Sequence, residues 1–145
     1  MDSRLNIETV GYLERTAEID RIRTAVFQQE QGIASDLEFD GLDENATHLL
    51  AYLNDRAVAT ARMRAIAPAI VKIERLAVLS AYRQQGIGKR LMQATLAFAT
   101  KQGYKSATVH AQAYIAPLYL GLGFEPVGER FSEAGIEHVK MIKQL

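Results

Sequence analysis

The chain has 145 residues with zero formal net charge, 48% hydrophobic residues, 23% charged residues and no cysteine. This length and composition are typical of a single folded domain, predicted here over residues 1–145, and the missing cysteine excludes disulfides, thiolate metal ligands and cysteine nucleophiles. A pI near 6.8 argues against nucleic-acid binding, and the lack of a long apolar run or an N-terminal signal segment predicts a cytoplasmic protein with no membrane partner.

The first half of the chain is predicted to form a strand, a helix and then three strands. A strand over residues 7–14 precedes a helix that is capped by Thr16 and ends near Gly32. Apolar residues recur at helical spacing in this helix, which predicts one buried face. Residues 33–45 form an acidic loop, and Asn54–Asp55 predicts a tight turn. The three predicted strands are Thr47–Leu53, Ala57–Ile66 and Ile70–Val78.

The second half is predicted to contain two helices and three strands. Apolar side chains repeat at helical spacing over residues 87–102, and Gly103 ends that helix. A strand over Ala107–His110 and a short helix over Ile115–Leu122 follow. A terminal hairpin is predicted from alternating side chains, with its strands and turn at Phe124–Phe131, His138–Ile142 and Glu133–Gly135. The order β-α-βββ-α-β-α-ββ indicates a mixed α/β sheet flanked by helices.

Charge is unevenly distributed along the chain. Residues 1–55 carry 12 of the 17 acidic residues and only 4 of the 17 basic ones, whereas residues 75–124 carry no acid. Such a chain can attract a cation at one place and an anion at another, although solvated faces would have the same pattern. The acidic residues Glu30, Asp40 and Asp43 are candidate contacts for a cationic group of a substrate, with a solvated loop as the alternative.

The most informative segment joins the strand Ile70–Val78 to the helix that follows it. Gly86 and Gly88 lie where that helix begins, next to the basic residues Arg83 and Lys89. The first amides of a helix lack intrahelical partners, and glycines let a bulky anion approach the backbone. No acid lies in the following 35 residues to oppose these bases. The segment therefore predicts a pyrophosphate site, with a helix start that binds nothing as the alternative.

Two common nucleotide-binding motifs do not fit this segment. A Walker loop requires a glycine five residues before Gly88, where Arg83 stands. A Rossmann fingerprint requires a small residue where Leu91 stands, and an acid about 20 residues further on that is absent. The remaining pattern is Arg83-x-x-Gly86-x-Gly88 between a strand and a helix.

That pattern resembles the R/Q-x-x-G-x-G/A signature of the GNAT N-acetyltransferase family. Tyr119-Leu-Gly-Leu-Gly-Phe124 also resembles the family's Y-x-x-x-G-F segment. Further segments are similar to the ElaA/YjcF-like branch of the family, namely Ala25–Gln31, His48, His110–Gln112 and Gly135–Met141. The resemblance covers nearly the whole chain, although Gln112 stands where many relatives carry asparagine.

The resemblance implies the GNAT fold, with a mostly antiparallel twisted sheet, and acetyl-CoA as co-substrate. The strand residues Leu76, Ala77 and Val78 would pair with the pantetheine arm and offer an amide to the acetyl carbonyl. Gln112 would add a hydrogen bond. The turn residues that would hold the pyrophosphate are Arg83, Gln84, Gln85, Gly86, Ile87, Gly88 and Lys89. A homodimer is common in the family.

Acetyl transfer to an amine requires a neutral amine, a stabilised oxyanion and a protonated leaving thiolate. The resemblance makes Tyr119 the candidate general acid, whereas periodicity alone would make it a core tyrosine. Glu74 and His138 are the candidate bases. Strand alternation predicts that Glu74 shares a sheet face with Leu76, and an ion pair with Arg62 or Arg64 is its alternative role. An imidazole suits a base because its ordinary pKa is near 6.5, with a structural histidine as the alternative.

No metal site is predicted, since the histidines lack ligand spacing and the acidic loop matches only the start of a calcium loop. His48 is a further candidate on the substrate side, with a structural role as its alternative. The predicted function is N-acetyl transfer from acetyl-CoA to a primary amine of a small molecule by direct transfer in a ternary complex. The alternative is a non-catalytic acyl-CoA-binding or sensing domain. The acceptor itself is not specified by the sequence.

Overall fold

The computed structural model describes residues 4–145, so the first three residues of the predicted domain lie outside it. Seven strands form one sheet in the order β1-β2-β3-β4-β5-β7-β6. Neighbouring strands are antiparallel except β4 and β5, which confirms the predicted mixed, mostly antiparallel sheet. The strands are β1 (Leu5–Gly11), β2 (Thr47–Leu53), β3 (Arg56–Ala67), β4 (Ile70–Val78), β5 (Ser106–Gln112), β6 (Glu125–Glu133) and β7 (Ile136–Gln144).

Helices cover both faces of the sheet. They are α1 (Thr16–Arg23), α2 (Ser35–Glu38), α3 (Ile87–Lys101) and α4 (Ala116–Gly121), and α1 continues as a π-helical segment over Thr24–Glu30. Ile19 of α1 packs in one apolar cluster with Leu50, and Leu91 of α3 packs in another with Leu49. Because successive strand residues point to opposite faces, adjacent leucines of β2 serve two separate cores. Among residues 4–145, no helix is both long and apolar enough to cross a membrane.

Several predicted boundaries move because local hydrogen bonds end the elements. Thr16 is the first residue of α1 and not its cap, since its hydroxyl donates to the carbonyl oxygen of Tyr12 at 2.8 Å. The strand predicted over residues 7–14 ends at Gly11, where a short 3-10 turn begins. The turn predicted at Asn54–Asp55 is confirmed, with φ angles of 52° and 69°.

The final hairpin is longer than predicted. Its strands continue to Glu133 and restart at Ile136, so the turn consists of Ala134 and Gly135 and not of Glu133–Gly135. Both turn residues have positive φ, 51° and 75°, which is the geometry of a two-residue hairpin turn. The extra length brings the end of β6 next to the start of β7.

β4 contains a bulge at Arg75. This residue has a left-handed φ of 56°, and the register with β3 shifts by one residue beside it. Glu74 lies opposite Arg62, whereas Leu76 packs in the apolar cluster of α3. The prediction that Glu74 and Leu76 share a sheet face is therefore wrong, because the inserted residue reverses the alternation.

The two parallel strands stay together over only a short distance. Ladder pairs join β4 to β5 at Ile70, Val71 and Lys72. Beyond Lys72 the strands diverge, so within residues 4–145 the edge of β4 that faces β5 has no strand partner for its last six residues. This divergence opens a cleft in the middle of the sheet.

Candidate active site

A cavity of about 700 Å³ occupies the cleft between β4 and β5. Its wall combines the end of β4, the start of α3, the end of β5, α4 and the turn between β6 and β7. Alternate backbone N–H and C=O groups on the unpaired edge of β4 face this space, since no ladder uses them there. All of the predicted cofactor-binding residues except Gln85 line it.

The turn before α3 offers exposed backbone to the cavity. Gln84 and Gly86 have left-handed φ angles of 62° and 77°, and α3 begins directly after Gly86. Among residues 4–145, no atom lies within 4 Å of a Cβ placed on Gly86, and a Cβ on Gly88 would make an ordinary 3.5 Å contact with Val78. Open space beside unpaired helix amides suits a bulky anion.

Arg83 is paired with an acid that the sequence did not reveal. Its guanidinium donates to both carboxylate oxygens of Glu30 at 2.6 Å, and its Nε donates to the carbonyl oxygen of Val78. The hydrogen bond from Arg83 lowers the pKa of the Glu30 carboxyl. The acid opposing Arg83 thus precedes it by 53 residues, and Glu30 does not line the cavity.

Gln112 meets a partner across the cleft. Its amide donates to Gln31 at 2.9 Å, and the amide of Gln31 donates back at 3.3 Å. Gln31 follows the π-helical segment, so this pair of amides connects the helix layer to β5. Sequence reasoning did not assign a role to Gln31, because the two glutamines are 81 residues apart.

Tyr119 lies on the cavity wall with its ring buried. It is 6% exposed and its ring meets Phe124 edge-on at a centroid distance of 5.5 Å. No hydrogen bond to its hydroxyl is formed within residues 4–145, and burial raises the pKa of the phenol well above its ordinary value. The hydroxyl therefore keeps its proton at neutral pH and faces the space where a ligand would lie.

The imidazole of His138 is held in one tautomer. Its Nδ1 lies 2.7 Å from the carbonyl oxygen of Ile136, and since a carbonyl only accepts, Nδ1 must carry the proton. In the neutral ring Nε2 then has a lone pair, and Glu133 lies 3.8 Å from it. The ring is 5% exposed, stacks on Phe131 and lines the cavity.

Glu133 joins two histidines. Its second carboxylate oxygen lies 3.2 Å from Nδ1 of His110, which also lines the cavity. Sequence reasoning placed Glu133 in a turn and treated His110 as structural. Strand pairing is the signal that could have found them. Gln112 and Phe131 both lie opposite His138, and His110 and Glu133 each lie two residues away from these partners on their own strands.

Glu74 lies on the cavity wall but is surrounded by cations. Its carboxylate contacts Arg62, Arg64 and Lys72. Burial alone would raise the pKa of Glu74, but hydrogen bonds and attraction from these three cations lower it. A carboxylate stabilised in this way is a poor proton acceptor, so the geometry favours the ion-pair role over the base.

The other acidic candidates belong to the same ion-pair network. Both oxygens of Asp40 accept from Arg62 at 2.8 Å, and this hydrogen bonding lowers the pKa of that carboxyl well below its ordinary range. Asp43 pairs with Arg23 and Arg62 away from the cavity wall. Of the three acids predicted to contact the substrate, Glu30, Asp40 and Asp43, only Asp40 lies on the cavity wall.

His48 is also interior. It is fully buried, its Nε2 lies 3.0 Å from the carbonyl oxygen of Asp43, and burial lowers its pKa. It does not line the cavity, so its position fits the structural alternative. Among residues 4–145, no group of three or more metal-ligating side chains is arranged to hold a metal ion.

Known proteins are similar to this chain in sequence and in architecture. The sequence model of the acetyltransferase (GNAT) domain matches residues 38–145. Protein ElaA of Escherichia coli (strain K12) is 34% identical over 129 residues, covering 86% of this chain and 84% of its own. The uncharacterized N-acetyltransferase YjcF of Bacillus subtilis (strain 168) is 31% identical over 123 residues, covering 84% of this chain and 87% of its own.

Solved structures have a similar fold. The crystal structure of Escherichia coli ElaA has a TM-score of 0.86 at 29% identity, covering 96% of this chain and 99% of that one. The crystal structure of an acyl-CoA N-acyltransferase from Pseudomonas aeruginosa has the same TM-score of 0.86 and 29% identity, with 96% and 99% coverage.

Proposed function

Because the chain belongs to the GNAT acetyltransferase family, we propose that it transfers an acetyl group from acetyl-CoA to a primary amine of a small molecule. The observation that carries this proposal is the cleft between β4 and β5, which joins the exposed turn before α3 to the side chains of Tyr119 and His138. A nucleotide-bearing thioester needs an anion site at one end and proton-transferring groups at the other. The cavity has both along one wall.

The residues of the cleft fit acetyl-CoA, which when bound would supply the acetyl group as a thioester. The amides at Gly86, Ile87 and Gly88 lie at a helix start, where the dipole and unpaired N–H groups favour a diphosphate. Lys89 adds positive charge on the same wall. The unpaired edge of Leu76–Val78 can receive the amides of a pantetheine arm as a strand would.

Two side chains are proposed to move protons. His138 accepts the proton of the acceptor amine at Nε2, and Glu133 beside it stabilises the resulting imidazolium. Tyr119, which carries its phenolic proton at neutral pH and lines the cavity, donates that proton to the departing sulfur. A backbone N–H on the free edge of β4 is proposed to stabilise the oxyanion.

Direct attack of the amine on the thioester is proposed, without an acyl-enzyme. The chain contains no cysteine, and the described cavity wall has no serine beside a base that could act as nucleophile. Acetyl-CoA and amine would therefore be bound at the same time. Initial-rate kinetics should give intersecting double-reciprocal lines, not the parallel lines of a ping-pong reaction.

The test is release of coenzyme A from acetyl-CoA in the presence of a panel of primary amines, followed with a thiol reagent. Turnover with at least one amine is expected. Tight binding of acetyl-CoA in calorimetry with no release for any amine would contradict the transferase and leave the non-catalytic acyl-CoA-binding domain.

A variant isolates the proposed base. His138→Asn should lower kcat/KM roughly a hundredfold near neutral pH, which is within the range for loss of a general base, and should leave acetyl-CoA affinity unchanged. The deficit should shrink at higher pH, because an amine that is already neutral no longer needs a proton acceptor. A deficit that is constant with pH would assign His138 a structural role.

A further inference from the structure

The cavity has two polar walls of different charge on one face of the sheet. Arg64 and Lys72 are cross-strand partners on β3 and β4, and Glu74 follows on β4. The opposite wall carries His110 on β5, with Glu133 beside it. These five side chains and that of His138 all line the same cavity.

The first wall is part of an ion-pair network that contains more cations than carboxylates. Its carboxylates are Glu38, Asp40, Asp43 and Glu74, and its cations are Arg23, Arg62, Arg64, Lys72 and Arg75. Within residues 4–145, five cations against four carboxylates leave one surplus positive charge. A surplus charge beside a cavity favours an anionic guest.

The surplus lies at Arg64 and Lys72 because both contact the single carboxylate of Glu74, whereas each of the other cations contacts two or more carboxylates. Arg62 donates from all three of its nitrogens, and Arg23 donates to a carboxylate or carbonyl from each of its own. Arg64 uses only Nε, towards Glu74, and within residues 4–145 its two terminal nitrogens have no hydrogen-bond partner. Lys72 has a single 3.5 Å contact with the same carboxylate.

The guanidinium of Arg64 and the ammonium of Lys72 are both accessible from the cavity. The Arg64 side chain is 27% exposed and that of Lys72 is 17% exposed, whereas Arg62 is fully buried. A guanidinium with its fork unoccupied and a neighbouring ammonium form a favourable site for a carboxylate. One surplus positive charge matches a monoanion better than a phosphate, which carries nearly two negative charges.

The opposite wall suits a positively charged amine group on the guest molecule whose carboxylate contacts Arg64 and Lys72. Glu133 supplies a carboxylate between His110 and His138, so an ammonium group is attracted there before it loses its proton. A substrate with one charge of each sign would therefore meet a complementary charge on each side of the cavity.

We infer that the acceptor is a primary amine that also carries a carboxylate, bound by Arg64 and Lys72. This inference rests on the proposed acetyltransferase function. The amine enters at the wall of Glu133 and His138, where the proton is accepted, and the carboxylate stays on the wall of β3 and β4. Arg64 and Lys72 are thus specificity-determining residues that act on binding.

The first experiment uses the wild-type protein with matched acceptors. Straight-chain ω-amino carboxylates from glycine to 6-aminohexanoate are compared with the primary amide of each, which keeps length and amine but removes the charge. For at least one chain length, kcat/KM should be about tenfold or more higher for the carboxylate, since hydrogen bonds to charged groups are the stronger class.

The second experiment uses charge-removing variants. Arg64→Gln and Lys72→Gln should each raise KM for the preferred carboxylate about tenfold, with kcat little changed, because binding is lost equally in the ground state and transition state. KM for acetyl-CoA and for the matched amide should stay the same. Arg130→Gln and Lys101→Gln, which remove like charges away from the cavity wall, serve as controls.

The outcomes separate this inference from the proposed function. Equal kcat/KM for the amides and for their carboxylates at every chain length would overturn the carboxylate site while leaving the transferase intact. An equal loss for carboxylate and amide in Arg64→Gln would also overturn it. Failure of every amine in both series to release coenzyme A would remove the transferase and the inference with it.

Discussion

At the scale of single residues, Tyr119 combines burial with an unused hydroxyl. Its ring packs against Phe124 and its hydroxyl faces the cavity without a hydrogen-bond partner within residues 4–145. The hydroxyl is not among the fully buried polar atoms that lack a partner, so it is open to the cavity, where a bound ligand can accept its proton.

Tyr119→Phe should lower kcat about a hundredfold and leave acetyl-CoA affinity nearly unchanged, because the ring stays and only the proton donor is lost. Thermal stability should not fall, since the variant removes a hydroxyl that bonds to no described residue. The control is Tyr104→Phe, whose ring packs on the same core away from the cavity. Turnover equal to wild type in stopped or continuous thiol assays would remove Tyr119 from the mechanism.

At the scale of elements, the junction of β4 and α3 depends on backbone conformation. Gly86 has a φ of 77° with open space beside it, so a side chain there would both strain the turn and enter the cavity region. Gly103, after the end of α3, has a φ of 93° and equally open surroundings. The two glycines therefore differ in location but not in strain.

Gly86→Val should weaken acetyl-CoA binding at least tenfold, measured by calorimetry, and should also lower the unfolding free energy by about 1–2 kcal/mol. Gly103→Val should have a similar cost in stability and no effect on affinity. If both variants kept full affinity, the amides of residues 84–89 would not be the anion site.

The sequence predicted those elements whose signals are local. The strand Ile70–Val78, the glycine turn and α3 follow from neighbouring residues, and their bounds agree closely with the structure. The bulge at Arg75 could not be predicted, because arginine has no preference for left-handed φ. Its guanidinium is instead held by the carbonyl oxygens of Leu37 and Glu38, which lie more than 30 residues earlier in the chain.

The site shows the same division between local and distant signals. The glycines and Tyr119 were recognisable from short motifs, and the structure places them on one cavity wall. The pairings of Arg83 with Glu30, and of Glu133 with two histidines, depend on strand register and on helix placement. Such pairings require the tertiary structure, because charge patterns along a chain do not specify partners.

At the scale of the whole molecule, the ion-pair network connects the acidic loop to the sheet. Arg62 of β3 lies at its centre, fully buried, and binds Asp40, Asp43 and Glu74 from two other parts of the chain. Arg23 fixes α1 to the same loop through Glu38 and Asp43. The network thus holds the loop against the cavity, and its removal would alter both stability and the substrate side of the site.

Arg62→Met should lower the unfolding free energy at pH 7 by about 3–5 kcal/mol, because it removes the buried central cation and takes one partner from each of Asp40, Asp43 and Glu74. The exposed pair Arg130–Glu137 gives the control, since Arg130→Gln should cost at most about 1 kcal/mol. Urea unfolding of the two variants and the wild type measures both values. Equal small losses would show that the network contributes little to stability.

The same network predicts how wild-type stability depends on pH. Hydrogen bonds from Arg62 lower the pKa of Asp40, and cations outweigh burial to lower that of Glu74. A carboxyl whose pKa is lower in the folded state contributes stability above its unfolded value, near pH 4, and loses it as pH falls further. The unfolding free energy of the wild type should therefore decrease below about pH 4.

The unfolding free energy of Arg62→Met should depend less on pH in this window, because Asp40 loses the main cation that lowers its pKa and Glu74 loses one of three. The two urea-unfolding curves should thus differ most at pH 7 and approach each other towards pH 3. A constant gap between wild type and variant across that range would mean that Arg62 acts through packing and not through charge, since loss of packing does not respond to protonation of Asp40 and Glu74.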